Sequence, residues 1–192
     1  MFNLDEFAKE CERMAAQGDA AASIRALVES AISQPDSLRA ALPNLDGDET
    51  LLYASPNLVV VHLRMTPNVH YPPHSHNMSV VVGIYAGSER NHSYELSDRG
   101  PADVGHKDHS AGDVLVLSPD AIHSVANISD DYSYGLHVYL GDLVHQDRNI
   151  WDPDTNEAFP YSDERYFGLS RPYDESRPFN RPAVCYAHER TA

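Results

Sequence analysis

Short runs of apolar and β-branched residues fill the middle of the chain, between about residues 49 and 141. Clusters of Pro, Gly, Asn and Asp separate these runs, and this alternation is typical of an all-β sandwich or barrel. Residues 88–111 are polar and rich in turn formers, which predicts a hairpin with a mobile tip. The six apolar runs are Leu51–Ala54, Leu58–Met65, Met78–Tyr85, Val114–Ser118, Ile122–Asn127 and Tyr134–Leu140.

The first part of the chain, residues 1–45, has a helical pattern instead. Apolar residues recur there at i, i+3 and i+4 in two segments, which we expect to end at Gly18 and Pro35. A third short helix is predicted over residues 37–42. We therefore expect N-terminal helices packed on a β barrel that spans residues 46–145.

The remaining segment, residues 146–192, is rich in proline and aromatic residues. Five of the thirteen prolines lie in the last forty residues, and proline interrupts helices. Eight aromatic side chains in the segment indicate that it packs on something. We predict an extended arm that lies on the barrel or on a second subunit, within one domain overall.

Net charge and composition disfavour several kinds of partner. The formal charge is −15 and the pI is about 4.9, so the chain repels nucleic-acid phosphates and anionic membrane surfaces. We find neither a leader pattern nor an apolar stretch of about 18 residues, and we expect a cytoplasmic protein without a membrane partner. Cys11 and Cys185 lack CxxC spacing and are expected to be reduced thiols.

Three histidines have the spacing of a mononuclear metal site. His74 and His76 are two apart, and on an extended strand their imidazoles project from the same face. His123, in a later apolar run, is positioned to supply a third imidazole from a neighbouring strand. The sequence therefore predicts that these three side chains bind one metal ion.

The two histidine segments resemble both motifs of the cupin family. In the first, His74-x-His76 is followed after three residues by Val80, where Glu is usual, and then after six residues by Gly87. The second motif contains His123 and also includes Gly112, Ser118 where Pro is usual, Asp120 where Gly is usual, and Asn127. The resemblance implies a mainly β cupin barrel, a double-stranded β-helix or jelly roll.

Val80 in place of Glu changes the expected chemistry of the metal. It removes the anionic ligand and leaves three neutral imidazoles, so the ion keeps its full +2 charge. Such a centre attracts thiolates or enolates and lowers the pKa of a bound thiol. Three open positions suit a bidentate substrate together with O2, an arrangement expected of a non-haem iron(II) dioxygenase.

Among three-histidine cupins, the chain resembles the thiol dioxygenases, which include cysteine dioxygenase and 3-mercaptopropionate dioxygenase. The added signal is the segment Gly135-Leu-His137-Val-Tyr139, because a His-x-Tyr strand follows the third metal histidine in that family. There, the His and Tyr orient the substrate and O2. The resemblance implies that one Fe(2+) ion is held here and that a small thiol is oxidised by O2 to its sulfinate, with His137 and Tyr139 in catalytic roles.

The chain also departs from that family. Gly135 stands where a Ser usually completes a Ser-His-Tyr chain, and Val80 replaces the Cys that can crosslink to the Tyr. The Arg that holds the substrate carboxylate in cysteine dioxygenase would fall near residues 48–53, where this chain has no Arg. Cysteine itself is therefore not the expected substrate.

Four residues are candidate substrate contacts, two of them from the alternation of side chains along a strand. Val80 and Met65 are predicted to face the cavity, and Tyr53 and Tyr71 to reach its mouth. Seven further histidines have no place in the motifs and are expected to be solvated: His62, His70, His92, His106, His109, His145 and His188.

Two other functions are compatible with the same residues. A three-histidine cupin can cleave carbon–carbon bonds in β-diketones or related enolates, and a cupin can also bind a metal and a small ligand without catalysis. The His-x-Tyr strand favours the thiol over the β-diketone. The resemblance is also compatible with a homodimer, because cupins often pair.

Overall fold

The computed structural model describes residues 1–45, 47–177 and 179. Three helices come first: α1 (Leu4–Ala15), α2 (Ala20–Ile32) and α3 (Pro35–Ala41). The side chain of Asn3 caps α1 by accepting a hydrogen bond from the Glu6 amide. Pro35 was predicted to end α2, and in the structure it is the first residue of α3. Proline suits this position because the first amide groups of a helix have no hydrogen-bond partner within the helix.

The rest of the described chain is mainly β. The strands are β1 (Glu49–Ala54), β2 (Val59–Met65), β3 (Val69–Ser75), β4 (Val80–Ala86), β5 (Ser88–Ser97), β6 (Gly100–Ser110), β7 (Val114–Leu117), β8 (Ile122–Asn127), β9 (Ser133–Tyr139), β10 (Asn149–Trp151), β11 (Ala158–Pro160) and β12 (Arg171–Pro172). A short helix, α4 (Asp163–Gly168), lies between β11 and β12.

These strands form two antiparallel sheets. The first has the order β1-β2-β9-β4-β7, and the second has the order β11-β10-β3-β8-β5-β6, with β12 also paired to β3. From β2 to β9 the chain passes back and forth between the sheets, and only β5 and β6 are consecutive within one sheet. This is the strand order of a jelly roll. The predicted mainly β double-stranded β-helix with N-terminal helices is confirmed.

The first sheet is buried on both faces, which explains the unbroken apolar runs of β2 and β4. Val59 and Val61 face the second sheet, whereas Val60 and Val81 pack against the helices. Helix α2 lies so close to β4 that a Cβ on Gly83 would overlap the side chain of Val28. The helices therefore cover the outer face of this sheet and leave its inner face to form the barrel interior.

A bulge in β3 sets the direction of its side chains. Tyr71 pairs with Val125 and His74 pairs with His123, so two residues of β3, Pro72 and Pro73, lie opposite one residue of β8. Prolines are tolerated here because a bulge leaves amide positions without ladder partners. As a result, Tyr71 and His74 both face the barrel interior although they are three positions apart.

The C-terminal segment lies against the second sheet as far as it is described. β10 and β12 both pair with β3, and Tyr166 of α4 packs against His74. The predicted arm is thus interrupted by α4. Residues 178 and 180–192, which include Cys185 and His188, lie outside the described residues, and a contact of the arm with a second subunit stays a prediction.

The prediction that the seven other histidines are solvated is wrong for four of them. His62, His70, His92 and His109 are buried, at 5%, 1%, 5% and 7% exposure. His62 bonds to the hydroxyl of Tyr85, and His70 Nε2 lies 2.8 Å from Ser124 Oγ. His62 lies on the outer face of the first sheet beside Tyr85. His70 and His92 pack together on the outer face of the second sheet, where Phe179 stacks on His70.

Strand β3 was not among the predicted runs, because its two prolines and three polar residues hide the β pattern. The hairpin predicted over 88–111 is present as β5 and β6. Cys11 is a buried free thiol. Within the described part of the chain, the helices are too short or too polar to span a membrane.

Candidate metal centre

His74, His76 and His123 converge inside the barrel. His74 belongs to β3, His76 follows its last residue, and His123 lies on the paired strand β8. All three are buried, and one ring nitrogen from each lies within 4.8 Å of the others. Nε2 of His123 is 3.0 Å from Nε2 of His76 and 3.1 Å from Nε2 of His74. The structure thus brings together the three predicted ligands.

Hydrogen bonds on the far side of two rings determine which nitrogens face inward. Nδ1 of His74 donates to the carbonyl oxygen of Pro72 over 3.0 Å, a group that the β3 bulge makes available. Nδ1 of His123 donates to Oδ1 of Asn91 over 3.0 Å. Because Nδ1 carries the proton in both rings, each Nε2 presents a lone pair to the centre.

Burial keeps all three rings neutral. It is the main cause that lowers the pKa of His74 and His76 well below the usual value, and it lowers the pKa of His123 to about 4. The other imidazoles of the cluster lower the pKa of His74 and His76 further. Neutral imidazole is the form that binds a metal ion.

The donor set fits a divalent metal ion. Lone pairs that face each other at close range repel unless a cation lies between them, so the cluster is unfavourable without one. Two nitrogens about 2.1 Å from a metal ion and at right angles are about 3.0 Å apart, close to the 3.0 and 3.1 Å from His123 to the other two rings. Among the described residues no carboxylate joins this cluster. The three imidazoles are therefore suited to hold an ion without an anionic ligand.

His137 and Tyr139 lie beside the cluster on β9. Both line an inner cavity of about 40 Å³ that the three metal-site histidines also line. The Tyr139 hydroxyl is 3.4 Å from Nδ1 of His137, and the Tyr139 ring packs edge-on against His76. Burial, with some effect of His123 and His62, lowers the pKa of His137 to about 3, and it raises the pKa of Tyr139. Near neutral pH, His137 is uncharged and Tyr139 keeps its proton.

The structure places the predicted substrate contacts in different surroundings. Met65 lines the inner cavity. Val80 lies in the apolar cluster beside Tyr139, and its strand neighbour Val82 lines the cavity instead. Tyr71 lies behind Tyr166, which lines the cavity, and the two rings stack at 5.1 Å between centroids.

Tyr53 was expected at the mouth of the cavity, and the structure differs. A register shift in β1 between Leu51 and Tyr53 turns Tyr53 toward the core cluster under the helices. Leu51 and Glu49 line the outer pocket in its place.

A larger outer pocket, of about 470 Å³, leads to the metal centre. His74, His76, Tyr139 and Tyr166 line both this pocket and the inner cavity. The ring of Tyr166 packs perpendicular to His74 at 5.2 Å between centroids. The C-terminal segment therefore helps to enclose the site through its aromatic side chains, in addition to packing on the barrel.

Arg148 is a lining residue that the sequence analysis missed. Its guanidinium carbon lies 3.4 Å from the ring centroid of Tyr161, another lining residue. Its positive charge contributes to the low pKa of His74 and His76, after burial and the neighbouring histidines. The acidic residues Glu49 and Asp163 stand at the same pocket. The pocket thus contains one cationic and two acidic side chains beside the metal centre.

Other residues were also missed. Asn91 and Glu89 lie on β5 in the segment that was read mainly as a polar hairpin. Alternation of polar side chains along a strand beside the predicted His123 strand was the available signal. Register between β5 and β8 could not be inferred from the sequence.

No protein-family model matches this chain, and no curated protein matches its sequence. Solved structures with a similar fold include an uncharacterised conserved protein with a double-stranded β-helix domain from Klebsiella pneumoniae. That protein is 14% identical, over 57% of this chain and 89% of its own, with a TM-score of 0.45.

A variant of oxalate decarboxylase from Bacillus subtilis is 19% identical over 57% of this chain and 25% of its own, with a TM-score of 0.41. An 11S globulin from Wrightia tinctoria is 16% identical over 45% of this chain and 21% of its own, with a TM-score of 0.39. This chain therefore spans about a quarter of the decarboxylase and about a fifth of the globulin. At this distance, the order of strands within the two sheets establishes the fold, and the likenesses add nothing about the site.

Proposed function

We propose that this protein is a non-haem iron(II) dioxygenase that oxidises a small thiol to its sulfinate with O2. The observation that carries the proposal is the shared inner cavity. Three neutral imidazoles line it together with the pair His137 and Tyr139, and among the described residues no carboxylate belongs to the imidazole cluster itself. When bound, an iron(II) ion would supply the Lewis acidity and open positions for a thiolate and O2.

The two outer residues have distinct roles in the proposal. Tyr139 keeps its proton, so its hydroxyl donates a hydrogen bond to an anionic or partly charged oxygen in the cavity. His137 is neutral, and its Nδ1 faces that hydroxyl. The imidazole therefore holds the hydroxyl in place without adding a charge of its own.

The pocket indicates the class of thiol. Arg148 presents a guanidinium group, which pairs well with carboxylates. The guanidinium group packs on the ring of Tyr161, which holds it at the pocket wall. We therefore propose a small thiol that carries a carboxylate, such as 3-mercaptopropionate or mercaptosuccinate, with its carboxylate toward Arg148 and its sulfur toward the metal centre.

The proposal is tested with iron-loaded protein in an oxygen electrode. Each of 3-mercaptopropionate, mercaptosuccinate, cysteamine, cysteine and a β-diketone is added in turn, and products are identified by mass spectrometry. We expect O2 uptake and a sulfinate with the thiol carboxylates. His123→Ala should abolish both, while the matched variant His106→Ala, on the exposed side of β6, should retain them.

The other outcomes separate the alternatives. O2 uptake with the β-diketone and none with thiols would favour carbon–carbon bond cleavage. No O2 uptake with any compound, together with a lower Tm for His123→Ala, would favour a metal-stabilised cupin that binds a ligand without catalysis.

A further inference from the structure

Glu89 is a buried carboxyl side chain in the wall of the inner cavity. It lies on β5, is 2% exposed, and accepts a hydrogen bond of 2.7 Å from Oγ of Ser133 on β9. His123, His137 and Tyr139 line the same cavity. Glu89 lines the same cavity as the three-histidine cluster but is not a member of that cluster.

Glu89 is bonded to Ser133 near the start of β9, and further polar residues lie on the same face of that strand. Ser133, Gly135, His137 and Tyr139 alternate along that strand and so share a face. Gly135 has no side chain, so Ser133 is the next polar group beyond His137. The cavity volume of about 40 Å³ exceeds the roughly 10–15 Å³ that a water molecule needs. The cavity that Glu89 shares with the three histidines therefore has room for a water molecule, which would carry a proton between the centre and Glu89.

We propose that Glu89 accepts the proton that the thiol loses when it binds as a thiolate. The inference rests on the proposed function. In this step the S–H bond breaks, its electron pair stays on sulfur, and an O–H bond forms on the Glu89 carboxylate. The overall reaction, RSH + O2 → RSO2⁻ + H⁺, releases one proton per turnover, and Glu89 returns that proton to solvent as the sulfinate leaves.

Glu89 is suited to this role near neutral pH. Burial raises the pKa of Glu89 to about 7, and the hydrogen bond from Ser133 limits the rise. A thiolate brought into the same cavity adds a negative charge, which raises the pKa of Glu89 further and favours its protonation. A carboxylate that is ionised before the thiol binds and protonated afterwards is what the step requires.

The other titratable groups around Glu89 do not compete for this proton. His109 lies opposite Glu89 on β6, His123 faces the cavity from β8, and His137 faces it from β9. Burial lowers the pKa of all three, to about 4 for His123 and about 3 for His137. Tyr71 on β3 has a pKa raised by burial and, to a smaller extent, by the charge of Glu89. These groups keep one protonation state near pH 7.

The test is to count the protons released when 3-mercaptopropionate binds to the iron-loaded protein without O2. Calorimetry at about pH 8, in two buffers of different ionisation enthalpy, gives this number. We expect the wild type to release close to no protons and Glu89→Gln to release close to one more. Glu95→Gln, a matched change at an exposed position of the same strand, should behave like the wild type.

Equal proton release from the wild type and Glu89→Gln, with binding intact in both, would overturn the inference and leave the proposed function standing. Absence of binding in the wild type would contradict the proposed function, and this inference with it.

Infrared difference spectra of the metal-loaded protein across pH provide a second readout that does not depend on turnover. A protonated-carboxyl band that disappears as the pH rises should be present in the wild type and absent from Glu89→Gln. Ser133→Ala should shift the midpoint of that disappearance to higher pH, because it removes the hydrogen bond that stabilises the carboxylate. A band that is unaffected by both changes would overturn the inference.

Discussion

Gly135 and His137 face each other along β9 at a distance that leaves no room for a side chain on residue 135. A Cβ on Gly135 would lie 2.7 Å from Nε2 of His137 and 3.0 Å from its Cδ2. The imidazole of His137 therefore lies directly against the backbone of Gly135. The glycine is a departure from the Ser-His-Tyr arrangement that the resemblance suggested, and it fits the ring position seen here.

Replacing Gly135 tests this contact. We expect Gly135→Ala to displace the His137 ring and with it the Tyr139 hydroxyl, which lowers kcat by roughly 10-fold or more, within the range for a lost positioning contact. Metal content should not change, because the three ligands lie on other strands. Steady-state kinetics and metal analysis check both points. Gly18→Ala, where a Cβ meets nothing within 4 Å, is the control. Unchanged kcat in Gly135→Ala would contradict the role of His137.

Arg148 is expected to select substrates that carry a carboxylate. A hydrogen bond to a charged group contributes about 1.5–3 kcal/mol, so Arg148→Gln should reduce kcat/KM for 3-mercaptopropionate by roughly 10- to 100-fold. Cysteamine has no carboxylate for Arg148 to bind, so kcat/KM for cysteamine should change little. Kinetics with both thiols measure the difference, and Arg99→Gln, at the exposed tip of the β5–β6 hairpin, serves as the control. Equal losses for the two thiols would exclude carboxylate recognition by Arg148.

Asn91 is expected to strengthen metal binding through His123. Its Oδ1 holds Nδ1 of the imidazole at 3.0 Å, and loss of such a partner typically lowers metal affinity by about 10- to 100-fold. We therefore expect weaker iron or zinc binding in Asn91→Ala, measured by competition with a chelator of known affinity. Ser93→Ala, at an exposed neighbouring position, should bind the metal like the wild type. Equal affinities would mean that the ring is held by packing alone.

Stability should fall in mild acid because several histidines are buried in the neutral form. Burial lowers the pKa of His70 to about 3, below the ordinary value of 6.5. The unfolded chain therefore binds more protons between these values, and stability declines as pH falls below 6.5. At pH 5 one such histidine costs about 2 kcal/mol relative to pH 7.

Urea unfolding at the two pH values measures this loss. His70→Gln keeps a group that can bond to Ser124 but cannot be protonated, so its loss between pH 7 and pH 5 should be smaller. The exposed control His106→Gln should show the full wild-type loss. A loss in His70→Gln as large as in the wild type would show that His70 is protonated in the folded state.

The sequence predicted those parts of the fold that local pattern controls. The run Ile122–Asn127 coincides with β8, and the helical periodicity located α1 and α2 within a few residues. Strand β3 was not predicted as a run although it carries His74, because Pro72 and Pro73 conceal a bulged strand. The bulge also places Tyr71 and His74 on the same face, which simple alternation along a strand does not predict.

The metal ligands of the candidate site could be predicted from the spacing of the histidines in the sequence. The residues that distant segments contribute to the site could not. His74, His76 and His123 follow from residue type and spacing. Arg148, Glu89 and the arrangement of Tyr166 over His74 depend on strand register and on how the C-terminal segment folds back, which are long-range packing decisions. Tyr53 was misplaced for a related reason, since an irregularity in β1 cannot be read from alternating residues.

The most direct test of the central claim follows both oxygen atoms of O2 labelled with the heavy isotope. Protein that holds one iron per chain is given 3-mercaptopropionate and labelled O2, and the product is weighed by mass spectrometry. We expect one sulfinate per O2 consumed, with both of its oxygen atoms labelled. Fully iron-loaded protein that consumes no O2 with this thiol or its relatives, or that yields an unlabelled product, would contradict the assignment of a thiol dioxygenase to the three-histidine centre.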